Sequence, residues 1–562
     1  MGGFGVMDGP GGRGRGLGGA IDGGVARLDR FTLPVLLALA AVLRFPNLIA
    51  RGSWEADQGR DMLILRAMVR DGVVPLVGPP TSIGDLHHGP WFYYLLSPAA
   101  AVTGGDSPLA VMALIALAGI ATVAVVWWMA RGIGGPIAGA VAGLAAAVSG
   151  AAIESSTFIW SPNFIALTSA MALAAAWRAW SGGDGRWWLV SALGLALTMQ
   201  FHVLGVALLP VIGVPFVADA RRRRLGAVGL GVVAIVAVTF LPLLLNELAT
   251  GGSEIRAALE YVAGGRTSSD TAIPVRFVVV GLRMLSWPLT GLITDGFVAG
   301  AIASAAVISI ALWRSRANGP DRLAARWLGL SLLWSAAFLA LTAPSLATVV
   351  PGLANDHYHA FAGPMVFTLV GLGAAALAGA RARPGGMAGA RARPGGTARA
   401  LVGPIVAVVG VLALLGWNLT HLPPATHPDG GFPAGERAGS RVETALANAG
   451  VGPEAVLRIQ SLPTFKSTEA MAYPLVRAGR AVVADTPAAA IVRGTADGRD
   501  PGALVLLCDD RFRDLIGAAC DGPAEATITP EGGGPMWGPL LDRFEAAPDR
   551  FVSVYGPVLE PG

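Results

Sequence analysis

Long apolar segments separated by short polar connections run along most of the chain. Each approaches the ~20 residues that an α-helix needs to cross a bilayer. The predicted spans are 31–49, 107–130, 134–153, 158–179, 187–203, 204–218, 225–246, 297–313, 327–343, 360–379 and 400–417. A β-barrel would show short segments of alternating hydrophobicity instead. The pattern predicts a polytopic α-helical membrane protein with about 11–13 transmembrane helices.

Two other apolar segments are poor candidates for spans. Residues 90–104 would form a helix about 22 Å long at 1.5 Å per residue, which is shorter than the ~30 Å hydrocarbon core. Residues 274–293 carry Arg276 and Arg283 within the apolar stretch. We expect both segments to lie at the outer surface of the membrane as partial or interfacial helices.

The arginines between the spans predict the orientation of the chain. Cytoplasmic loops are enriched in Lys and Arg, and Arg131 and the segments 221–224, 314–326 and 381–399 follow that rule. The first outer loop, residues 50–106, then lies outside. An odd number of spans also places the C-terminus outside. We expect a multi-pass protein of the plasma (inner) membrane.

The two ends of the chain differ in composition from the predicted transmembrane domain, residues 30–421. Residues 1–29 are Gly-rich and are predicted to form a disordered cytoplasmic N-terminus. Residues 422–562 contain the strand-like segments VLRIQ, AVVAD, ALVLL and RFVSVYG, with helical segments between them, and are predicted to form a soluble extracytoplasmic α/β domain. In that oxidising location we expect Cys508 and Cys520 to form a disulfide.

Charge restricts the partners of the protein. The formal net charge of +4 in 562 residues gives no reason to expect a nucleic-acid partner. Lys466 is the only lysine, and it lies in the predicted C-terminal domain. Any cationic contact to a phosphate from the membrane body must therefore come from Arg or His.

The first outer loop opens on a dense group of carboxylates, WEADQGRD, which brings Glu55, Asp57 and Asp61 into a chain that is 14% charged. The helical periodicity of this segment places Asp57 and Asp61 one turn apart on one face. A carboxylate beside a membrane surface can act as general base on a hydroxyl. Glu55 and Asp61 can alternatively bind a divalent cation, Mg²⁺, Mn²⁺ or Ca²⁺, or simply cap a solvated helix.

All seven histidines fall at predicted outer positions, and four of them lie in two dense segments, DLHHGPW (85–91) and NDHYHAF (355–361). A further outer turn, IESSTFIWSPN, contains Asn163. A third, TMQFH, contains Gln200 and His202. The predicted topology thus collects the polar chemistry at one face of the membrane.

The order of these motifs resembles that of a known family. ADQGRD, then GPPTSIGDLHHGPWFYYLLSP, FIWSPN and MQFH resemble the membrane glycosyltransferases of the C-type fold over residues 30–380. The nearest branch is glycosyltransferase family 39, which includes protein O-mannosyltransferases and aminoarabinose transferases. The resemblance implies inverting transfer of a sugar from a polyprenyl-phosphate donor to a hydroxyl of a glycan, glycolipid or protein, on the extracytoplasmic face.

The same resemblance assigns roles to residues of this sequence. Asp57 matches the acidic position that acts as base, although Gln58 stands where many relatives have a second carboxylate. Arg60, Arg276 and Arg283 are the candidates for contact with the lipid phosphate. The remaining expected substrate contacts are His87, His88, Asn163, His202, His357, Tyr358 and His359.

Two other classes of function remain as alternatives at this point. A transporter or flippase of a lipid-linked precursor would show charges and Gly/Pro breaks near mid-membrane, together with internal repeats. The second alternative is a non-catalytic membrane scaffold whose C-terminal domain binds envelope polymers. The sequence contains no GxxxxGK[ST] phosphate loop, which agrees with a donor that is a lipid rather than a nucleotide.

Overall fold

Helices dominate the chain, whose computed structural model describes residues 17–81, 86–263, 271–319, 321–348, 355–379, 397–463, 468–484, 501–526 and 537–557. Within these residues, eight helical segments are long and apolar enough to cross a membrane, judged by length and composition. They are Leu109–Gly134, Val203–Arg223, Gly226–Ala249, Ile273–Thr290, Phe297–Arg316, Arg322–Thr342, Asp356–Leu377 and Leu401–Thr420. The predicted class, a polytopic α-helical membrane protein, is confirmed.

In the described part of the chain, seventeen α-helices precede the C-terminal region, and each of the predicted apolar spans overlaps at least one of them. In chain order they are α1 (Leu17–Arg44), α2 (Leu48–Arg51), α3 (Ala56–Asp71), α4 (Trp91–Ala101), α5 (Leu109–Gly134), α6 (Pro136–Val148), α7 (Gly150–Glu154), α8 (Ile165–Gly182), α9 (Trp187–Phe201), α10 (Leu208–Arg223), α11 (Gly226–Ala249), α12 (Ser253–Ala263), α13 (Ile273–Thr290), α14 (Phe297–Arg316), α15 (Arg322–Thr342), α16 (Gly363–Leu377) and α17 (Thr397–Thr420).

The N-terminus differs from its prediction. Disorder was expected over residues 1–29, but α1 already begins at Leu17. The apolar part of α1 supplies a helical nucleus, and each added residue then gains a backbone hydrogen bond at little further cost. Residues 1–16 lie outside the described part of the chain.

The two segments that were expected not to cross form the helices α4 and α13. With 11 residues, α4 is too short to span a bilayer. By length and composition α13 would suffice, so its interfacial position stays a prediction. The carbonyl oxygens of Thr290 and Leu289, at the C-terminal end of α13, accept hydrogen bonds from Trp417 and Asn418 at the end of α17.

The C-terminal region contains a small sheet flanked by helices. Its elements are α18 (Gly431–Asn448), β1 (Leu457–Leu462), α19 (Thr468–Arg477), β2 (Val482–Ala484), β3 (Ala503–Asp509), α20 (Arg513–Ile516), α21 (Pro523–Ala526), β4 (Leu540–Ala547) and β5 (Arg550–Tyr555). The strand order is β2-β1-β3-β5-β4. The first three strands are parallel, and β5 runs antiparallel to both of its neighbours.

The sequence did not predict β4, because LLDRFEAA mixes charged residues into a strand that is mostly half-exposed at the sheet edge. The expected disulfide is present: Cys508, in β3, is bonded to Cys520. It closes a loop that contains α20.

Helix α3 lies directly against α19 of the C-terminal region. The backbones approach so closely at Gly59 that a Cβ there would lie 2.0 Å from the carbonyl oxygen of Glu469. Just before α3, the buried Trp54 indole donates a hydrogen bond to the carbonyl oxygen of Ala470 at 2.9 Å. Its ring also packs on Phe432. The C-terminal region therefore fixes where α3 begins.

Two polar side chains reinforce this packing. The Arg550 guanidinium, on β5, donates to the carbonyl oxygen of Trp54 and to the Glu55 carboxylate, both at 3.4 Å. The Asp429 carboxylate accepts the backbone N–H groups of Trp54 and Gly431 at 3.0 and 2.8 Å. Both arginine contacts join residues nearly 500 positions apart in the chain.

We predict that Gly59→Ala disturbs this contact, because the new Cβ meets backbone that cannot rotate away. Overpacking of this kind typically costs about 1–3 kcal/mol, so the melting temperature in detergent should fall and the C-terminal region should become more sensitive to protease. Gly132→Ala, in α5, is the matched control, because a Cβ at that position would have no heavy atom within 4 Å. It should leave stability unchanged or raise it by about 0.5–1 kcal/mol. Equal melting temperatures for both variants would contradict the packing argument.

Candidate active site

Near the start of α3, the carboxylate of Asp57 is exposed and that of Asp61 is buried. Glu55 is the N-cap residue and forms a capping box with Gln58, whose Oε1 accepts the Glu55 backbone N–H at 2.9 Å. This arrangement satisfies two of the free N–H groups at the helix start. Asp57 lies in the first turn, and its side chain is 46% exposed. Gln58, the departure from the family pattern, thus has a structural role in shaping the helix that carries Asp57.

Arg60 connects the two aspartates of this helix. Its Nη1 donates to Asp57 Oδ1 at 2.7 Å, and its Nε and Nη2 donate to Asp61 Oδ1 at 3.1 and 3.0 Å. Asp61 Oδ1 also accepts the Tyr93 hydroxyl at 2.9 Å. The sequence prediction that Asp57 and Asp61 share a helix face is consistent with this bridge. One guanidinium holds both carboxylates in place.

Asp61 is completely buried and differs chemically from Asp57. Burial raises the pKa of Asp61 to about 7, although the Arg60 charge and the Tyr93 hydrogen bond oppose the shift. Its Oδ2 has no hydrogen-bond partner among the described residues, which leaves room for a proton. Asp61 is therefore poorly placed to act on a substrate, whereas Asp57 has an exposed carboxylate.

A cavity of about 1210 Å³ opens in front of Asp57. Its walls come from both parts of the chain: the start of α3, the region of α7, the end of α13, the start of α16, the end of α17 and the loops of the C-terminal region. Among the expected site residues it is lined by Glu55, Asp57, Arg60, Asn163 and His357. Its volume exceeds that of many small-molecule sites.

Arg283 and Arg276 do not line this cavity. Arg283 is buried and donates to the Asp356 carboxylate, to Asn355 Oδ1 and to the carbonyl oxygens of Leu346 and Thr348. His359 binds the same carboxylate at 3.1 Å. These contacts make Arg283 and His359 supports for the 3-10 turn Asp356–Ala362, which carries His357 to the cavity wall. Arg276 is buried, and its Nε has no partner among the described residues.

Three of the expected histidines pack together. The ring of His202 lies 5.0 Å from that of His88 and 5.3 Å from that of His357, measured between centroids. Tyr358 packs on His202 and His357. Gln200 joins the group, because its Oε1 would lie 1.5 Å from a Cβ at Gly89, the residue after His88. We refer to His88, Gln200, His202 and His357 as the histidine–glutamine cluster.

His87 points away from this cluster. Its Nδ1 is 2.9 Å from Glu254 Oε1, and its backbone N–H donates to Glu254 Oε2 at 2.8 Å. Glu254 belongs to the first turn of α12, so His87 links the first loop to that helix. Nothing in the sequence pattern pointed to Glu254 as its partner.

The arrangement does not fit a divalent cation held by the expected ligands. Glu55 is engaged in the capping box and with Arg550, and the facing oxygens of Asp57 and Asp61 are both held by Arg60. Among the described residues, no group of three or more His, Cys, Asp or Glu side chains is arranged to hold a metal ion.

Several cavity residues were not expected from the sequence. The loop before α18 contributes His427 and Asp429, whose Nδ1 and Oδ1 lie 2.7 Å apart. Burial opposes the charge of His427, but its contact with Asp429 outweighs this and raises the pKa of the imidazole. Arg511 and Asp549 reach the cavity from the C-terminal sheet. No local signal identifies these two, because only the docking of distant segments brings them to the cavity.

Comparison with known proteins identifies the fold. Residues 87–245 match the family described as "Dolichyl-phosphate-mannose-protein mannosyltransferase". This range includes His87, His88, Asn163 and His202, but not Asp57. No curated protein matches the chain significantly by sequence.

Two of the solved structures that resemble this chain cover most of its length. ArnT from Cupriavidus metallidurans bound to undecaprenyl phosphate is 16% identical with a TM-score of 0.50, and the match covers 92% of this chain and 97% of ArnT. The oligosaccharyltransferase AglB from Archaeoglobus fulgidus, in complex with an inhibitory peptide and a dolichol-phosphate, is 15% identical with a TM-score of 0.51. That match covers 89% of this chain and 71% of AglB. At these identities the likeness establishes the fold, and the predicted C-type glycosyltransferase fold is confirmed.

We predict that the buried carboxyl of Asp61 makes stability pH-dependent. Between the ordinary value of 3.8 and the folded value of about 7, the folded protein holds one proton more than the unfolded chain. Stability therefore falls as pH rises across this window. Relative to wild type, Asp61→Asn should gain on the order of 4 kcal/mol between pH 4 and pH 7, and no more above it.

Melting temperatures in detergent at pH 4 to 8 measure this difference. Asp71→Asn, an exposed position at the end of α3, is the matched control and should track wild type at every pH. Parallel curves for Asp61→Asn and wild type would show that the carboxyl does not titrate in this range.

Proposed function

We propose that the protein is an inverting glycosyltransferase that moves a sugar from a polyprenyl-phosphate donor to an acceptor hydroxyl. One observation carries this proposal: Asp57 is held by Arg60 with its carboxylate facing a large cavity formed by the membrane helices and the C-terminal region together. ArnT was solved bound to undecaprenyl phosphate, and AglB in complex with a dolichol-phosphate. These ligands support a polyprenyl-phosphate donor for this protein.

In this mechanism Asp57 is the general base. An acceptor hydroxyl bound beside it gives up its proton to the carboxylate while the oxygen attacks the anomeric carbon. The polyprenyl phosphate departs from the opposite face of the sugar, so the configuration at that carbon is inverted. Arg60 orients the carboxylate through the hydrogen bond from its Nη1 to Asp57 Oδ1 at 2.7 Å.

The charge of the departing phosphate has to be met by groups other than lysine, because the only lysine is Lys466. His357 lines the cavity and packs edge-on against Trp160, with ring centroids 4.3 Å apart. Arg276 is one of the buried cations whose Nε has no partner among the described residues. We propose these two for the phosphate, with Arg283 acting through the turn that holds His357. No step is assigned to a metal ion.

We further propose that the transmembrane domain, residues 30–421, presents this site on the extracytoplasmic side, together with the domain of residues 422–562. The arginine-rich connections support the orientation. The disulfide between Cys508 and Cys520 supports an oxidising location for the C-terminal domain. Both arguments favour a reaction on the outer side of the inner membrane. The acceptor is then a hydroxyl of a glycan, glycolipid or protein in that compartment.

We predict that Asp57→Asn lowers the rate of sugar transfer by about 10²–10⁴-fold, because the amide cannot take the proton. The measurement uses purified protein in liposomes, a panel of radiolabelled polyprenyl-phosphate sugars, and a membrane extract as the source of acceptors. Asp71→Asn, on the exposed end of the same helix, is the control and should keep the wild-type rate. An unimpaired Asp57→Asn variant would rule out Asp57 as the base. No transfer by wild type from any donor would overturn the enzyme assignment itself.

A further inference from the structure

One wall of the cavity is formed by the ends of membrane segments that do not include α3. Buried Asn418, near the end of α17, accepts the Gly150 N–H of α7 at 2.9 Å and donates to the Leu289 carbonyl oxygen of α13 at 2.8 Å. Its neighbour Trp417 donates to the carbonyl oxygen of Thr290 at 3.0 Å. These hydrogen bonds fix α7, α13 and α17 to one another. We refer to four cavity-lining residues of this region as the α17 wall: Glu154, Asp295, Trp417 and His421.

Two aromatic rings are stacked in the α17 wall. Trp417 and His421 lie one helical turn apart, with ring centroids separated by 3.9 Å and planes inclined by 13°. His421 Nδ1 is 2.8 Å from the carbonyl oxygen of Trp417, which orients the imidazole, and the residue is exposed. A tryptophan that only anchors a helix at the membrane interface faces lipid head groups, whereas both residues of this pair line the cavity. The stack therefore contributes aromatic surface to the cavity.

The two carboxylates of the α17 wall are open to the cavity. Glu154, the last residue of α7, is exposed, and the hydrogen bonds that it accepts come from Thr157 to its backbone oxygen. Asp295, in the turn after α13, is also exposed, and its side chain accepts a long hydrogen bond of 3.5 Å from the Thr294 hydroxyl. Removal from bulk water raises the pKa of Glu154, the charge of His427 opposes this, and the charge of Asp295 adds to it. The two carboxylates are thus close enough to influence each other.

The combination of ring faces and open carboxylates fits a sugar ring. A pyranose or furanose carries hydroxyl groups around its edge and C–H groups on its faces. The hydroxyl groups donate to ionised carboxylates, which only accept hydrogen bonds. A C–H face packs against an aromatic ring, because the face of the ring is negative. A peptide would also need donors for its backbone carbonyl oxygens, and the carboxylates of the α17 wall supply none.

The charge of the α17 wall limits the substituents of such a sugar. Among the described residues, the side chains of Glu154 and Asp295 have no arginine partner, and His427, the cation that acts on Glu154, is itself held by Asp429 at 2.7 Å. A uronic acid or a phosphate beside these carboxylates would be repelled. A neutral ring is accepted, and so is a ring that carries an amine. The donor phosphate is proposed to lie elsewhere, at residues outside the α17 wall.

The α17 wall belongs to the same cavity as Asp57. His427 connects the two regions, because the charges of both Glu154 and Glu55, the N-cap residue of α3, act on it. The volume of about 1210 Å³ exceeds the roughly 300–1,000 Å³ of small-molecule sites, so the cavity has room for a donor sugar and for acceptor rings together. A ring on the α17 wall would lie next to the ring whose hydroxyl is presented to Asp57.

We infer that the α17 wall is an acceptor subsite that binds a sugar ring without anionic groups. This inference rests on the proposed function, because it takes the bound glycan to be the acceptor of the transferred sugar. It goes further by naming the class of acceptor: a neutral or amine-bearing glycan rather than a protein or an acidic polysaccharide. Binding of the glycan needs neither donor nor transfer, so it can be measured separately from catalysis.

The first test measures the class of acceptor directly. Saturation-transfer NMR of the full-length protein in nanodiscs compares a neutral mannotrisaccharide and an arabinotrisaccharide with trigalacturonate and with a peptide rich in serine and threonine. Wild type should bind at least one neutral trisaccharide about fivefold or more tightly than trigalacturonate or the peptide. Equal or tighter binding of trigalacturonate or of the peptide would overturn the inference, and so would the absence of binding by both neutral trisaccharides.

The second test removes the exposed ring. In the same assay, His421→Ala should raise the Kd of the neutral trisaccharide about fivefold, because the outer ring of the stack is lost, and should leave the melting temperature unchanged. His421→Phe keeps a flat ring and should restore most of the affinity. Leu419→Ala is the matched control, because Leu419 is exposed at the same helix end but does not line the cavity. An unchanged Kd for His421→Ala, or a weakened one that His421→Phe does not improve, would overturn the role of the stack.

The third test addresses the charge of the α17 wall. Glu154→Gln keeps the size of the side chain and removes its charge, so trigalacturonate should bind at least threefold more tightly than to wild type, on the order expected for one screened charge at the surface. Asp71→Asn, exposed at the end of α3 and outside the cavity lining, is the control and should bind trigalacturonate as wild type does. The same affinity for trigalacturonate in Glu154→Gln and wild type would overturn the proposed exclusion of acidic sugars.

The outcomes also separate this inference from the proposed function. Selective binding of neutral trisaccharides by a protein that transfers no sugar from any donor lipid would support a glycan site and overturn the enzyme assignment. Transfer to a peptide by a protein that binds no trisaccharide would support the enzyme and overturn the acceptor subsite. A protein that neither binds these trisaccharides nor transfers a sugar would overturn both.

Discussion

The close contact between α3 and α19 is the constraint on which the site depends. Gly59 allows the two helical backbones to touch, and Trp54 and Arg550 fix the start of α3 from the side of the C-terminal region. Asp57 is two residues from Gly59, so its direction follows from this packing. The membrane helices alone would leave the start of α3 without its partners. The C-terminal region is therefore part of the architecture that orients the proposed base, in addition to providing cavity wall.

Electrostatics gives different properties to Asp57 and Asp61, which look equivalent in the sequence. They lie four residues apart on one helix and share one arginine. Burial makes the inner carboxyl hold its proton more tightly, while the outer one remains open to the cavity. One helical turn is enough to separate a buried carboxyl from an exposed one. The free-energy cost of charging a carboxyl rises steeply once water is removed. The inner aspartate, with Tyr93, serves to hold Arg60, and Arg60 in turn holds Asp57.

Much of this could be predicted from hydrophobicity and motif order, and the remainder could not for a physical reason. Helical spans follow from composition over about twenty residues, and the order of the polar motifs indicated the fold. The contact partners of individual residues could not be predicted. Arg283 looked like a free cation in the sequence, yet Asp356 and backbone carbonyls occupy it. Arg511 and Asp549 reach the cavity only through the docking of the C-terminal sheet. Contacts between segments hundreds of residues apart leave no periodicity to detect.

The distance in sequence between the two sides of the α3 contact has a consequence for how the protein is made. Chains are synthesised from the N-terminus, and the early segments fold or insert first. Asp57 leaves the ribosome long before Ala470, and Arg550 follows later still. Until then the start of the helix that carries Asp57 lacks the surface of α19 and the polar contacts of Asp429 and Arg550. The site is thus completed only when synthesis has passed Arg550, and a partly synthesised or truncated copy presents the lipid-facing helices without a finished reaction centre.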